Sequence, residues 1–200
     1  MAPAGPITVE RAACDERTLA SLAELRMAVF HDWPYLYDGS PDYEREYLDA
    51  FIRQDQSVVI VARAGDRPVG MATASPLRGQ PEAVREPLLR AGLNEAGTFY
   101  FGESVLLPAW RGQGIGHAFF DQREDAARAA GARVCTFCAV ERAADHPLRP
   151  QEVRELAPFW RGRGYAPLPG VTMELAWKDR DTPGEIAHLM QFWFRALPAA

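Results

Sequence analysis

The residues best placed to do chemistry stand near mid-chain as Arg111-Gly112-Gln113-Gly114-Ile115-Gly116, directly after Val105-Leu106-Leu107-Pro108-Ala109-Trp110. Three glycines at alternate positions behind an arginine open an apolar-periodic run, which reads as the bare start of a helix. The first turn of a helix leaves its amide N–H groups without partners, and the aligned peptide dipoles make that end positive. Glycine removes Cβ, so an anion can come up against the backbone. The unit therefore suits a phosphate or pyrophosphate held mainly by main-chain donors, with Arg111 adding charge. The bland alternative is that the glycines only permit close strand–helix packing. A dinucleotide fingerprint needs G-x-G-x-x-G early in its fold, whereas the spacing here is G-x-G-x-G past mid-chain. The Gly-Lys-Ser/Thr ending of a P-loop is absent.

The elements that must hold this loop can be read from periodicity. Residues 7–11 suit a short strand and 15–30 a helix with Leu19, Leu22, Leu25 and Val29 on its apolar side. Residues 31–41 form a loop broken by Pro34, Gly39 and Pro41, and 43–53 a second helix. Two β-rich runs, 57–63 and 69–75, flank the Gly65–Pro68 turn as a hairpin. A short helix fits within 81–93, a long strand 97–107, a helix 111–130 stopped by Gly131, and a strand 133–140. A helix over 153–163 and a strand over 170–177 follow. In Met190-Gln191-Phe192-Trp193-Phe194-Arg195 the alternation has period two and predicts a last strand after the connection 179–185, with an amphipathic helix as the competing reading. That strand is expected to close the sheet against 170–177, or to supply a homodimer seam.

Composition narrows the classes. Hydrophobic residues make up 48% of 200 residues, enough for a sizeable core. The 22 basic and 27 acidic side chains give a formal charge of −5, which argues against nucleic acid as partner. Cys135 and Cys138 form a C-x-x-C inside a strand. Residues three apart on a strand point to opposite faces, so no metal site is expected of Cys14, Cys135 and Cys138. Met1–Pro6 lacks the pattern of a signal peptide, and no stretch approaches the roughly 20 apolar residues of a membrane span, so a cytoplasmic location and no membrane partner are expected.

On the residues Arg111 to Gly116 the sequence resembles the GNAT superfamily of acyl-CoA-dependent N-acyltransferases. That family carries Arg/Gln-x-x-Gly-x-Gly/Ala between its fourth strand and third helix. Phe159-Trp160-Arg161-Gly162-Arg163-Gly164-Tyr165 resembles its later Phe-Tyr-x-x-x-Gly-Phe. The element order agrees over residues 7–178, and 179–200 would add a strand or extension to a single domain, 1–200. The resemblance implies an α/β (α+β) fold: a mixed, mostly antiparallel sheet of six to seven strands, flanked by helices, with splayed central strands. It implies acetyl-CoA or another acyl-CoA as co-substrate, without a metal. The cofactor would lie on Val105, Leu106, Leu107, Arg111, Gly112, Gln113, Gly114, Ile115 and Gly116.

The same resemblance implies an acetyl group moved to a primary amine of a small molecule or peptide by direct attack in a ternary complex. The amine must lose a proton, and Glu103, on the fourth strand, is the first candidate for base, with Glu141, Asp145 and His146 in reserve. Many members use the tyrosine of Phe-Tyr as acid; Trp160 stands there, so Tyr165 or Tyr100 must serve, or the thiolate leaves unassisted. The acceptor side would be covered by 30–39, whose Asp32, Trp33, Tyr35 and Tyr37 either cage a cation or pack the loop onto the sheet. Glu141 and His146 complete the candidate acceptor set. Trp160 also leaves open a GNAT-fold module that binds acyl-CoA without turnover, and a nucleotide-binding regulator is a third reading.

Overall fold

The structure, a computed structural model, describes residues 6–13 and 15–198. The readings made of residues 1–5 and of Cys14 lie outside the described residues. Seven strands form one sheet: β1 (Ile7–Arg11), β2 (Val58–Ala64), β3 (Arg67–Pro76), β4 (Thr98–Leu106), β5 (Val134–Val140), β6 (Ala166–Lys178) and β7 (Glu185–Ala196). Their spatial order is β1-β2-β3-β4-β5-β7-β6. Among these pairings β4 with β5 is the parallel one; the rest are antiparallel. A parallel neighbour needs a crossover, and helix α4 (Ile115–Ala129) supplies it.

Helices α1 (Glu16–Phe30), α2 (Pro41–Ile52) and α3 (Glu82–Arg90) lie on one face. Helices α4 and α5 (Ala157–Gly162) lie on the other. Local chemistry starts the first two helices: Asp15 accepts from Thr18 N at 2.8 Å, and Ser40 accepts from Tyr43 N at 3.3 Å with Pro41 behind it. Alternation assigns the strand residues to faces. On β4, Phe99 and Phe101 pack with Phe120 and Tyr165 on the α4 side, while Tyr100 packs with Leu88 and Phe192 on the other. Cys135 and Cys138 likewise fall on opposite sides of β5, the first in the α4 layer and the second beside Tyr100.

Two helix boundaries and one strand pairing differ from the sequence reading. The helix expected over 111–130 starts only at Ile115, because Gly112 and Gly114 sit at φ +80° and +83°, outside helical space. The helix expected over 153–163 is reduced to Ala157–Gly162, because Pro158 lacks an N–H and is tolerated only in a first turn. The last strand pairs with β6 as expected, but it also inserts between β6 and β5: Met190–Ala196 runs beside Val140–Val134. No helix among the described residues is long and apolar enough to cross a membrane.

Candidate active site

Strands β4 and β5 pair only through Thr98–Val134, Phe99–Cys135 and Tyr100–Thr136, and then part. Beyond Tyr100 their facing edges open into a V. The cause lies on the other side of β4, in its ladder with β3. There Ala72 pairs with Ser104 but Ala74 pairs with Phe101, so Thr73 opposes two residues, Gly102 and Glu103. This is a β-bulge, and it reverses the alternation of β4. Strict period two from Phe99 and Phe101 would point Glu103 at α4. The extra residue turns it toward α1 and α2 instead. Gly102 is required here, since a Cβ would sit 2.5 Å from Thr73 Oγ1.

The Glu103 carboxylate, about one-tenth exposed, is held on several sides. Arg26 of α1 pairs with it, and Tyr47 of α2 and Thr73 of β3 donate hydroxyls to it. Thr73 Oγ1 also accepts the Glu103 N–H at 2.9 Å. Arg26 binds a second carboxylate, the fully buried Glu44, and its guanidinium lies 4.5 Å from the Tyr47 ring centre. Burial works to raise the Glu103 carboxyl, but Arg26, then the Thr73 and Tyr47 hydrogen bonds, outweigh it and hold it below the ordinary glutamate range. The Arg26 guanidinium is lowered by burial and raised further by Glu103, Tyr47 and Glu44, with a net rise. Tyr35 is raised by burial and then by Cys138 and Glu103. Tyr100 meets Cys138 Sγ at 3.0 Å at the closed end of the V. Burial pushes the Cys138 thiol up to about 11.

At the open end of the V, β4 runs through Leu107 into a 3-10 turn, Pro108–Trp110, and the glycine loop. Leu107 N–H reaches back to Val69 O at 3.0 Å. The alternation of an antiparallel ladder then turns the Val105 backbone to β3 and the Leu106 backbone into the V. Leu106 O receives Arg111 Nε at 3.2 Å, and Gln113 Nε2 donates to Ala109 O at 3.2 Å, so both side chains brace the loop. Among the described residues no protein acceptor takes the N–H of Gly112, Gln113, Gly114, Ile115, Gly116 or His117. A Cβ at Gly112 or Gly114 would point into open space, whereas one at Gly116 would touch the Phe159 ring at 3.4 Å. Ile115 is buried with Phe119 against β2 and β3, which fixes the helix end.

The other residues singled out from sequence are distributed rather than gathered. Tyr165 is not in the V. It is buried on the α4 side, its hydroxyl on Glu124 Oε1 at 3.2 Å, and burial raises it far above the ordinary tyrosine range. Gly164, at φ +83°, swings the chain so that Tyr165 enters this core. Trp160 packs its ring on Phe137 and Trp193. The aromatic residues of 30–39 make contacts within the fold, and the Arg149 guanidinium lies 5.8 Å from the Trp33 ring centre. Trp33 meets the His146 ring edge-on at 5.4 Å, Tyr35 lies against Phe30 and Trp177, and Tyr37 packs beside α2 and bridges to Asp179. Asp32 and Glu141 are exposed. His146 Nδ1 accepts from Leu148 N at 3.1 Å. Sequence reasoning did not find Arg26, Glu44, Tyr47 or Thr73. Nor did it find Arg142, which ties Pro34 O and Tyr35 O to the buried Asp179 and so fastens the loop over the site. Among the described residues, no group of three His, Cys, Asp or Glu could hold a metal ion.

The fold that carries this site is shared with known proteins. The sequence profile of the Acetyltransferase (GNAT) family matches residues 22–150. The chain belongs to that family. It is a GNAT-type N-acetyltransferase by membership, and solved structures share its architecture. An aminoglycoside 6'-N-acetyltransferase complexed with coenzyme A superposes with a TM-score of 0.64 at 12% identity, over 96% of this chain and 99% of that one. The yncA protein of Salmonella typhimurium, solved with acetyl-CoA, gives 0.60 at 18% identity, over 97% and 95%. The ribosomal-protein-alanine N-acetyltransferase of Brucella melitensis gives 0.62 at 15%, over 95% and 99%. At these identities the likeness is one of fold. No curated protein matches the sequence at a significant level.

Proposed function

We propose that this single domain transfers an acetyl group from acetyl-CoA to a primary amine, by direct attack of the amine with both substrates bound. The observation that carries the reading is the unclaimed row of N–H groups from Gly112 to His117, at the mouth of a V that a bulge holds open beside an ionised glutamate. The residues fit the co-substrate. Bare amides at a helix start, with open space where Gly112 and Gly114 lack Cβ, suit a pyrophosphate. The Leu106 backbone, turned into the V, suits the amide-bearing arm. When bound, acetyl-CoA supplies an activated acyl carbon.

The chain's own groups do the rest. An alkylammonium holds its proton to about pH 10.4 and must lose it to attack. Glu103 stays ionised at neutral pH, because Arg26, Thr73 and Tyr47 stabilise its charge. Those donors also reduce its basicity. Glu103 therefore acts as a fixed anion that draws the ammonium in and takes its proton, directly or through one water, as the nitrogen forms its new bond. Tyr35 and Tyr47 border the acceptor space, and the Leu106 N–H polarises the carbonyl under attack. No side chain is assigned as acid. Tyr165 is enclosed in the core, and a thiol of ordinary acidity, about 8.5, departs as thiolate. The test is release of free thiol from acetyl-CoA with a panel of amines: polyamines, aminoglycosides, amino acids and N-terminal peptides. Acetyl-CoA binding without thiol release across that panel would replace the enzyme reading with the binding-module one.

A further inference from the structure

Arg123 is a buried cation that the site so far described leaves unused. It projects from α4 into the layer beneath β4, and the residue is 2% exposed. Nε donates to Phe119 O at 3.2 Å and Nη1 to Glu103 O at 3.3 Å. The guanidinium carbon lies 4.3 Å from the Phe101 ring centre and 4.7 Å from that of Phe120. Nη2 is buried and has no acceptor among the described residues. Among the described residues no carboxylate forms an ion pair with Arg123 either. Its neighbour Glu124 is taken by Arg163, Arg195 and the Tyr165 hydroxyl, and the Glu103 carboxylate points to the opposite face of the sheet. Burial accordingly pushes the guanidinium down to about 10.

The position of this group is informative. Strands β4 and β5 stop pairing at Tyr100 and Thr136, and Arg123 contacts Phe101 and Glu103, the residues just past that point. It thus sits at the closed end of the V, on a helix whose first turn forms the mouth. A charged donor left unpaired in a core is costly and is rarely kept without a use. Any ligand wedged between the parted strands must bring its own carbonyls into an apolar seam, where donors are scarce.

We propose that Arg123 is a further cofactor-binding residue, fixing the bulge through Glu103 O and reserving Nη2 for a carbonyl of the acyl-pantetheine arm at the closed end of the V. The inference rests on the acyl-CoA reading above. It makes α4 a two-ended holder: main-chain amides for the pyrophosphate at its start, and a buried side chain for the arm two turns further on.

The test compares coenzyme A with adenosine 3′-phosphate 5′-diphosphate, which keeps the nucleotide and pyrophosphate but lacks the arm. Both are titrated by calorimetry into wild type, Arg123→Met and Arg123→Lys. Arg123→Met is expected to weaken coenzyme A about ten-fold, as loss of one charge-assisted hydrogen bond, and to leave the truncated nucleotide within about two-fold. Arg123→Lys, which keeps the charge but cannot fork between two acceptors, is expected to fall between. Urea unfolding checks each variant, and if the methionine variant does not fold, the lysine variant carries the comparison. Equal loss for both ligands, or no loss for either, overturns the role of Arg123. Wild type binding neither ligand overturns the acyl-CoA reading, and this inference with it.

Discussion

Replacing Arg26 by glutamine tests the electrostatic frame of the site. The wild-type guanidinium sits between Glu44 and Glu103, with side-chain exposures of 8%, 0% and 10% for Arg26, Glu44 and Glu103. At such burial, solvent screens little. Removing the cation leaves two carboxylates without their shared partner, a change that costs about 3–5 kcal/mol when a buried pair is broken. Loss of the contacts over Tyr47 and Phe30 adds about 1 kcal/mol more. For a chain of this size, each kcal/mol lowers Tm by roughly 2–4 °C, so Arg26→Gln should melt roughly 8–24 °C below wild type at pH 7.5. The pH dependence fixes the cause. Because Arg26 depresses the folded-state pKa of Glu103, its contribution is present above the unfolded value of 4.5 and is lost as pH falls through the lower folded value. In the variant, burial dominates and the carboxyl shifts up, so acid relieves it. The gap between the two proteins should therefore narrow from pH 7.5 to pH 5 in urea titrations. Adding Glu44→Gln to the variant should recover part of the loss, since it removes one of the stranded charges. A deficit below about 1 kcal/mol at pH 7.5, or one that widens on acidification, would refute the reasoning.

Two further outcomes bear on the site. Gly114→Glu, which forces φ +83° on an L-residue and puts a carboxylate beside the bare amides, should abolish coenzyme A binding by calorimetry; retained affinity would remove the pyrophosphate assignment. Glu103→Gln should lower the transfer rate at least about ten-fold near neutral pH, where free amine is scarce, and progressively less toward pH 9.5. A pH–rate profile parallel to wild type would clear Glu103 of proton transfer.

The glycine loop was legible because its chemistry is local: a helix start, a missing Cβ and an arginine are adjacent in sequence. Glu103 was legible as a residue but not in its direction, because one extra residue opposite Thr73 decides the parity of β4 and no pattern within β4 announces it. Its partners Arg26, Tyr47 and Thr73 come from three other elements, and apolar periodicity is blind to a polar cluster assembled across them. The place of the Tyr165 ring in the α4-side core was not legible because the backbone turn at Gly164, and not the local motif, sets where it goes. The aromatic residues of 30–39 bind to the fold itself: Arg142 and Trp177 hold the Tyr35 carbonyl, a use of loop aromatics that spacing does not distinguish from ligand contact. The place of β7 between β5 and β6 is a long-range pairing that alternation could type as a strand but not locate.

That insertion has a temporal consequence. One wall of the V, β5, finds its second neighbour only in β7, which follows β6 in the chain. A nascent polypeptide that has emerged as far as Lys178 holds the glycine loop, the bulge and Glu103, yet its β5 has an unsheathed edge. Completion of the cleft is thereby deferred until β7 has followed β6, and a chain cut after Lys178 carries the glycine loop, the bulge and Glu103 with no rigid wall to set them against.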